Sequence, residues 1–335
     1  MKTYLSRPES EYLSKNHTDC LKGIMASLVL MCHLRGRMPV LNDTVIGSLF
    51  TALGYLSVSV FFFISGYGLM ASYKNKGDGY IRDFPKNRIL PFYCICLCWT
   101  GIYVLFNLLM GKDMAWTEIL LSLFFGGTVI LNGWYLQTIL VFYLLFYVSF
   151  RFAGKYKECA VAAGTVLYIA GCVALGLSTT WYEAVWCFLL GILWNKYRER
   201  IDSVLSEKQY YIKIFLSAAV CFGAFLIAGN TNITGGVIRI FCKMISSVSF
   251  VILTVCVTGM VPVCCKLTKW LGVISFEIYA SQGMIMSLLR GNLYYIKSDC
   301  LYAVLCVVFI LGFSRIINPV MRRINLAVKT ALHSA

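Results

Sequence analysis

The amino-acid sequence predicts an all-α integral membrane protein that crosses the bilayer about ten times. Of its 335 residues, 59% are hydrophobic and 13% are charged, whereas soluble domains carry about 25% charged residues. Apolar stretches close to the ~20 residues that a membrane-spanning helix needs recur along the whole chain. Lys and Arg residues collect in alternate segments between these stretches, as the positive-inside rule requires of a membrane protein.

The hydropathy pattern predicts a single membrane domain over residues 1–335, with short polar tails at 1–18 and 321–335. The stretch 116–128 is apolar but too short to cross a bilayer, which predicts an interfacial or re-entrant helix. The ten predicted spans are 20–38, 46–72, 88–110, 132–151, 159–177, 181–196, 211–229, 236–260, 268–289 and 300–319.

The distribution of charge predicts the orientation. With a cytoplasmic N-terminus, ten spans leave most Lys and Arg residues on the inner side, and the C-terminus is then cytoplasmic as well. The few basic residues left outside are Arg35, Arg37, Lys112, Arg290 and Lys297. This pattern predicts a multi-pass protein of the plasma membrane, in contact with membrane lipid. Because the loops account for the net charge of +15, nucleic-acid binding is not expected.

The fifteen cysteines lie mostly within apolar runs, and we interpret them as small packing residues. Cys94, Cys96 and Cys98 spread around a helix, and no C-x-x-C motif is paired with a second one at the spacing of a zinc site. The sequence therefore predicts no bound metal and no disulfide scaffold.

Lys22 and His33 make the first span the best candidate for chemistry. They are separated by about three turns of helix, so both side chains lie on one face, and the residues between them carry no charge. Ionisable residues within a membrane span are costly and usually functional. A neutral imidazole can accept a proton near neutral pH. The other histidines, His17 and His333, are expected to be solvated in the polar tails.

The residues around this pair, Asp19-Cys20-Leu21-Lys22-Gly23-Ile24 followed by His33, resemble the opening of the membrane-bound acyltransferase family 3. Members of this family include the O-acetylases of bacterial surface polysaccharides. Their sequences begin with an Asp-x-Leu-Arg-Gly-Ile run, and a His follows. Lys22 stands where the family usually has Arg, which replaces a planar bidentate donor with a point charge.

Two further runs resemble motifs of this family. Phe61–Tyr67 (FFFISGY) is similar to the Phe-Phe-x-x-Ser-Gly signature of the second helix, which draws attention to Ser65. A helix-packing motif of small residues explains it equally well. Lys86–Tyr93 (KNRILPFY) resembles the basic run that enters the third helix, where Lys86 and Arg88 would hold the phosphates of coenzyme A. The alternative is a positive-inside anchor with Pro in the first helical turn.

Two later runs complete the resemblance. Trp134 and Tyr135 match the Trp-Phe/Tyr-Leu pattern of the fourth helix, although an aromatic belt also explains them. Ile274–Tyr279 (ISFEIY) is similar to the late Ile-Ser-x-x-Ile-Tyr motif, which makes Tyr279 a candidate site residue. The family often has a His shortly after this motif, where this chain has Gln282.

Glu277 lies within that late apolar run, so it must be paired, protonated or in contact with water. It is interpreted either as a local acid or as a partner for Arg239 or Lys243.

The resemblance implies acyl transfer from a cytoplasmic acyl-CoA, most simply acetyl-CoA, to a hydroxyl of a sugar in a cell-surface or exported glycan. Lys22, Lys86 and Arg88 would bind the nucleotide, and His33 would deprotonate the acceptor. Ser65 would shape the cavity or position the acyl group; a covalent acyl-enzyme is the alternative. Asp19, Trp134, Tyr135, Glu277 and Tyr279 are supporting candidates.

Two functions of other classes remain open from the sequence. A transporter or flippase for a lipid-linked glycan, or for a small anionic substrate, would use the same basic loops and polar groups. It should show repeats with helices broken by Gly or Pro in matching positions, and the sequence shows none. A membrane scaffold without activity leaves Lys22, His33 and Glu277 unexplained.

Overall fold

The computed structural model describes residues 13–125, 129–205, 210–229, 236–291 and 294–334. These residues form helices and no strand, as the sequence predicts. The fourteen α-helices of the described residues are α1 Lys15–Arg35, α2 Val45–Lys76, α3 Asp78–Arg82, α4 Leu90–Leu109, α5 Trp116–Phe125, α6 Trp134–Phe152, α7 Lys157–Ala174, α8 Trp186–Lys196, α9 Arg198–Leu205, α10 Tyr210–Gly229, α11 Gly236–Met260, α12 Lys266–Val273, α13 Ser275–Leu289 and α14 Asp299–Ser334.

Seven helical segments among the described residues are long and apolar enough to cross a membrane. They confirm the predicted fold class, a polytopic all-α membrane protein. If α12 and α13 together count as one broken span, the number is eight. The seven segments are Val45–Lys76, Pro85–Leu109, Trp134–Phe152, Gly154–Ala174, Tyr210–Gly229, Gly236–Met260 and Asp299–Ser334.

The two remaining predicted spans, 20–38 and 181–196, do not qualify by length and composition. The first corresponds to α1, whose 21 residues include the charged Lys15, Asp19, Lys22 and Arg35. The second corresponds to α8, whose 11 residues rise only about 16 Å, against a hydrocarbon core of about 30 Å. The count of ten spans and the cytoplasmic termini therefore stay predictions.

The short stretch 116–128 contains α5, which is 10 residues long. Its residues 126–128 lie outside the described residues, and its depth in a bilayer stays a prediction. Residues 1–12 of the predicted N-terminal tail also lie outside the described residues.

The described parts of the two predicted polar tails are mostly helical, residues 15–18 in α1 and 321–334 in α14. The expectation of a solvated His17 is wrong: the side chain lies in α1, is 7% exposed, and its Nε2 is 3.1 Å from the carbonyl oxygen of Thr258. The C-terminal residues 321–334 continue α14 as regular helix and do not form a separate tail. His333 is exposed, as expected. After Pro319 this segment contains no Gly or Pro that would end the helix.

The chain divides into two compact units, each built from several segments. The first, unit 1, consists of Met1–Val29, Ala52–Gly77 and Ala153–Val273. Its helices approach closely where glycines face one another. A Cβ atom on Gly66 of α2 would lie 2.0 Å from the carbonyl oxygen of Phe188, and one on Gly191 of α8 would lie 2.1 Å from that of Phe63. Small residues therefore bring the backbones of α2 and α8 together.

The second unit, unit 2, consists of Leu30–Thr51, Asp78–Phe152 and Ile274–Ala335. Its most buried helix is α13, of which nearly every residue is shielded from solvent. Around it pack aromatic side chains of α4, α6 and α14. Phe146 stacks on Phe150 with ring centroids 4.1 Å apart, and Trp99 meets Phe313 edge-on at 6.2 Å.

Candidate active site

The candidate general base, His33, lies near the C-terminal end of α1 and is half-buried in unit 2. Its Nδ1 atom is 3.4 Å from Nδ2 of Asn132, in the turn before α6. A half-turn of the amide exchanges its oxygen and nitrogen, so this contact can serve either tautomer of a neutral imidazole. Asn132 thus fixes one ring nitrogen of His33 and leaves Nε2 for other chemistry.

The backbone of Asn132 is held in an uncommon conformation. Its φ angle of 62° lies in the left-handed region, which Asn tolerates better than most residues. The hydroxyl of Tyr279 on α13 donates a hydrogen bond to the Asn132 carbonyl oxygen. The turn is therefore anchored on a second helix, and its side chain is directed at His33.

Three aromatic side chains complete this part of unit 2. The ring of Tyr135 meets that of Tyr279 nearly edge-on, with centroids 5.6 Å apart, and Trp134 meets Tyr135 at 6.2 Å. The structure therefore brings together four residues that the sequence singled out, His33, Trp134, Tyr135 and Tyr279. We call these four residues and Asn132 the histidine cluster.

Arginines hold the neighbouring helix ends in place. Arg290 is 8% exposed and forms an ion pair with Asp299 at 2.6 Å. Its guanidinium also donates to the carbonyl oxygen of Arg37 and lies over the ring of Tyr302, 4.1 Å from the centroid. Arg37 in turn donates to the hydroxyl of Ser287 at 3.1 Å. This network ties the segment after α1 to the end of α13 and the start of α14.

The basic candidates Lys86 and Arg88 lie on a π-helical turn, Pro85–Ile89, that leads into α4. Both side chains are exposed. The turn follows the fully buried Phe84, whose ring packs against Phe146 at 5.5 Å. π-Helical turns are rare and often occur at functional sites. The two cations thus follow a buried aromatic side chain, and Arg88 also interacts with the hydroxyl of Tyr80.

The remaining candidates lie in unit 1. Lys22 forms an ion pair with Asp19, one turn earlier in α1, at 2.9 Å. Ser65 is half-buried in α2, beside the tightly packed Gly66, which supports the packing interpretation of that motif. Among the described residues, no His, Asp or Glu side chain hydrogen-bonds the hydroxyl of Ser65.

A family model described as "Acyltransferase domain" (Acyl_transf_3) matches residues 17–318. The chain belongs to the membrane acyltransferase family 3. The match begins in α1, before Lys22 and His33, and ends within α14, so it includes the long middle region in which the sequence motifs gave no guide. Neither a search of curated proteins nor a search of solved structures returned a match.

The first motif of this acyltransferase also has a packing role. A Cβ atom on Gly23 would lie 2.4 Å from the carbonyl oxygen of Thr268, and one on Gly272 would lie 1.9 Å from that of Asp19. Glycine at position 23 therefore lets α1 and α12 touch backbone to backbone within unit 1, independently of any contact with substrate.

Glu277 is buried in α13 of the acyltransferase, and its proposed pairing with Lys243 is wrong. Lys243 pairs instead with Glu183, at 2.8 Å. Glu277 hydrogen-bonds Asn318 of α14 and is influenced by the positive charge of Arg322. Its second oxygen, Oε2, has no hydrogen-bond partner among the described residues. The same is true of both amide atoms of Gln282, which is fully buried in the same helix.

The described residues contain no group of three or more His, Cys, Asp or Glu side chains that could hold a metal ion. None of the fifteen cysteines, all of which lie among the described residues, forms a disulfide bond. The polar groups of the histidine cluster are those of His33, Asn132 and the aromatic hydroxyls, which suit proton transfer and hydrogen bonding.

Sequence reasoning missed Asn132. The signal that could have found it is the Asn-Gly pair directly before Trp134, because Asn-Gly favours a tight turn with positive φ. In this turn the Asn132 side chain faces His33, near the C-terminal end of α1.

Proposed function

We propose that this acyltransferase moves an acetyl group from cytoplasmic acetyl-CoA to a hydroxyl of a sugar in a cell-surface or exported glycan. The observation that carries the proposal is the contact of His33 with Asn132, whose backbone Tyr279 anchors. A histidine held at one ring nitrogen, in a family of acyltransferases, is suited to act as a general base.

The chemistry requires one tautomer of His33. With its proton on Nδ1 and donated to the amide oxygen of Asn132, the imidazole keeps the lone pair of Nε2 free. Nε2 then takes the proton of the acceptor hydroxyl as the hydroxyl oxygen attacks the thioester carbonyl carbon. A carbon–oxygen bond forms, the carbon–sulfur bond breaks, and the leaving thiolate receives the proton from the imidazolium.

Direct transfer is preferred to an acyl-enzyme on Ser65. A serine nucleophile needs an adjacent base to remove its proton. Ser65 has no hydrogen bond to a His, Asp or Glu side chain of the described residues. Ser65 lies beside Gly66, which packs closely on α8, so its role in this proposal is to support the packing of α2.

Exposed cations are candidates to bind the phosphates at the anionic end of the donor. Lys86 and Arg88 are exposed on the π-helical turn, where a guanidinium can grip a phosphate with two parallel hydrogen bonds. Lys22 is a weaker candidate, because its ammonium is already paired with Asp19.

Buried polar groups of α13 are candidates to bind the pantetheine arm, the polar middle part of the donor. Leaving a buried amide unpaired costs about 1–3 kcal/mol, yet Gln282 has no partner among the described residues. Gln282 and Oε2 of Glu277 are therefore candidates to bind the amides of the pantetheine arm.

The aromatic rings favour a sugar as the acceptor. Tyr135, Tyr279 and Trp134 offer apolar faces with polar tips within the histidine cluster. The family match favours group transfer over transport, so a flippase becomes the second candidate. The sugar acceptor, the acetyl donor and the plasma membrane location are parts of the proposal that experiment must test.

The decisive experiment uses membranes that contain the full chain. They are incubated with acetyl-CoA labelled in the acetyl group and with a panel of oligosaccharides, and the label in each sugar is counted. We expect transfer by the wild type and a loss of at least a hundredfold in His33→Gln, which keeps a similar volume but cannot act as a base near neutral pH.

Lys297→Gln is the control, because this side chain is exposed on a loop and has no assigned role. Full activity of His33→Gln would disprove the base assignment. Labelled acetyl-CoA that neither binds nor reacts with the wild type would disprove the donor, and label that reaches no sugar would disprove the acceptor.

A further inference from the structure

The last helix extends beyond the region shared with the family. The family match ends at residue 318, whereas α14 continues without a break to Ser334. Its 36 residues rise about 54 Å, which exceeds the ~30 Å hydrocarbon core of a bilayer. The final turns of α14 are therefore long enough to emerge from the membrane.

Contacts at the end of this helix place it on the π-helical turn. Nε2 of His333 lies 3.1 Å from Oδ1 of Asn87, which stands between Lys86 and Arg88 in the chain. One turn before His333 lies the half-buried Lys329, close enough to Arg88 for its ammonium to feel that charge. The end of α14 thus places a further cation near Arg88.

This arrangement concentrates positive charge without neutralising it. In the parts of the chain that the structure describes, no carboxylate pairs with Lys86, Arg88 or Lys329. Holding like charges together is unfavourable, whereas an anion between them gains charge-assisted hydrogen bonds from each. Because no carboxylate of the described residues pairs with these cations, we expect an anion from outside the chain to bind them.

We propose that Lys329, held in place by the His333–Asn87 contact, completes with Lys86 and Arg88 a phosphate-binding site for the nucleotide end of acyl-CoA. This inference rests on the proposed function and adds to it a residue outside the region matched by the family. Arg88 suits bidentate contact with a phosphate, and Lys329 suits a second phosphate as a mobile point charge.

The phosphate of an anionic lipid headgroup has the same chemistry, so the experiment must separate the two sources. Calorimetry with the full chain in a neutral detergent measures the affinity for CoA and for pantetheine, which carries no phosphate. Nanodiscs of phosphatidylcholine, with or without phosphatidylglycerol, then show whether an anionic headgroup displaces CoA.

Lys329→Gln is expected to weaken CoA binding about tenfold, since one charge-assisted contact is lost, and to leave pantetheine binding unchanged. Lys329→Arg should restore most of the CoA affinity. The matched control is Arg323→Gln, which removes the same charge from an exposed position on another face of α14. This control should bind CoA like the wild type.

The outcomes of these binding measurements distinguish a failure of the proposed function from a failure of the inference about Lys329. Wild-type protein that binds no CoA in detergent overturns the proposed function together with this inference. Wild-type protein that binds CoA, with Lys329→Gln binding it equally well, overturns this inference alone. If Lys329→Gln binds CoA with wild-type affinity, but phosphatidylglycerol displaces CoA from it less effectively, Lys329 binds a lipid headgroup. That result also overturns this inference.

Discussion

Removing the side chain of Asn132 tests the role of the histidine cluster most directly. The suitable substitution is Asn132→Gly, because glycine adopts a φ of 62° without strain,. The substitution leaves the backbone carbonyl that accepts the hydrogen bond from Tyr279. Only the contact with Nδ1 of His33 is lost, so a change in rate can be attributed to it.

The size of the effect follows from the charge on the imidazole. In the resting enzyme the contact joins neutral groups at 3.4 Å, and such a bond contributes about 0.5–1.5 kcal/mol. As His33 takes the proton of the acceptor it becomes an imidazolium, and a hydrogen bond to a charged group contributes about 1.5–3 kcal/mol. Because the neutral bond is lost as well, only the difference of about 1–1.5 kcal/mol acts on kcat, which lowers kcat by about 5- to 13-fold.

The assay measures transfer of labelled acetyl groups to the best acceptor found for the wild type, over a range of acetyl-CoA concentrations. We expect kcat to fall and KM for acetyl-CoA to stay within about twofold, because an interaction made in the transition state acts on kcat. Asn132→Asp serves as the comparison. It keeps an oxygen that accepts the Nδ1 proton, so it should retain most of the activity.

Two results would refute this reasoning. A kcat of Asn132→Gly within twofold of the wild type would show that the contact does not orient His33. Equal losses in Asn132→Gly and Asn132→Asp, with both proteins folded, would show that the amide itself is needed and that the acceptor oxygen is not the relevant atom.

Further variants test packing and anchoring. Gly66→Ala should lower the unfolding temperature, because overpacking against backbone typically costs about 1–3 kcal/mol; Gly68→Ala, with nothing within 4 Å, should not, and equal effects would contradict the packing argument. Arg290→Ala should lower the unfolding temperature, since it removes both the ion pair with Asp299 and the hydrogen bond to the carbonyl oxygen of Arg37; an unchanged melting curve would contradict this. Tyr279→Phe should lower kcat about 3- to 10-fold by freeing the turn that it anchors,; a wild-type kcat would show that the turn does not need this bond.

Much of the fold could be predicted because hydropathy is a local property. Seven predicted spans coincide with helices that are long and apolar enough to cross a membrane. The spans that do not qualify are those in which charge or length interferes: α1 contains Lys22, and α8 is short. Hydropathy alone cannot decide whether such helices cross a membrane or are covered by their neighbours.

The candidate site could be predicted only in part. The helical spacing from Lys22 singles out His33, and separate motifs single out Trp134, Tyr135 and Tyr279. The structure brings these four residues together. Asn132 was missed because its role depends on a turn that folds towards a helix about a hundred residues earlier in the chain. A single sequence does not show which loop residue makes such a contact.

Two errors share one cause, the use of polarity as a guide to exposure. His17 follows polar residues, yet its ring is buried against the backbone of α11. The pairing of Glu277 with Lys243 matched charges within apolar runs, whereas Glu277 contacts the neutral Asn318. A buried polar side chain needs a hydrogen bond before it needs an opposite charge, so charge matching alone selects the wrong partner.

Polar contacts between α13 and α14 fix the position of the C-terminal helix. Ser281 and Ser314 lie 3.4 Å apart, and one turn farther along Glu277 hydrogen-bonds Asn318. Within a membrane each interhelical hydrogen bond contributes about 0.6–2 kcal/mol, and a slip of α14 by one turn, about 5.4 Å, would break both. The same slip would carry Lys329 away from the π-helical turn. The buried contacts of α13 therefore set the register that brings Lys329 beside Arg88, far from the residues that make them.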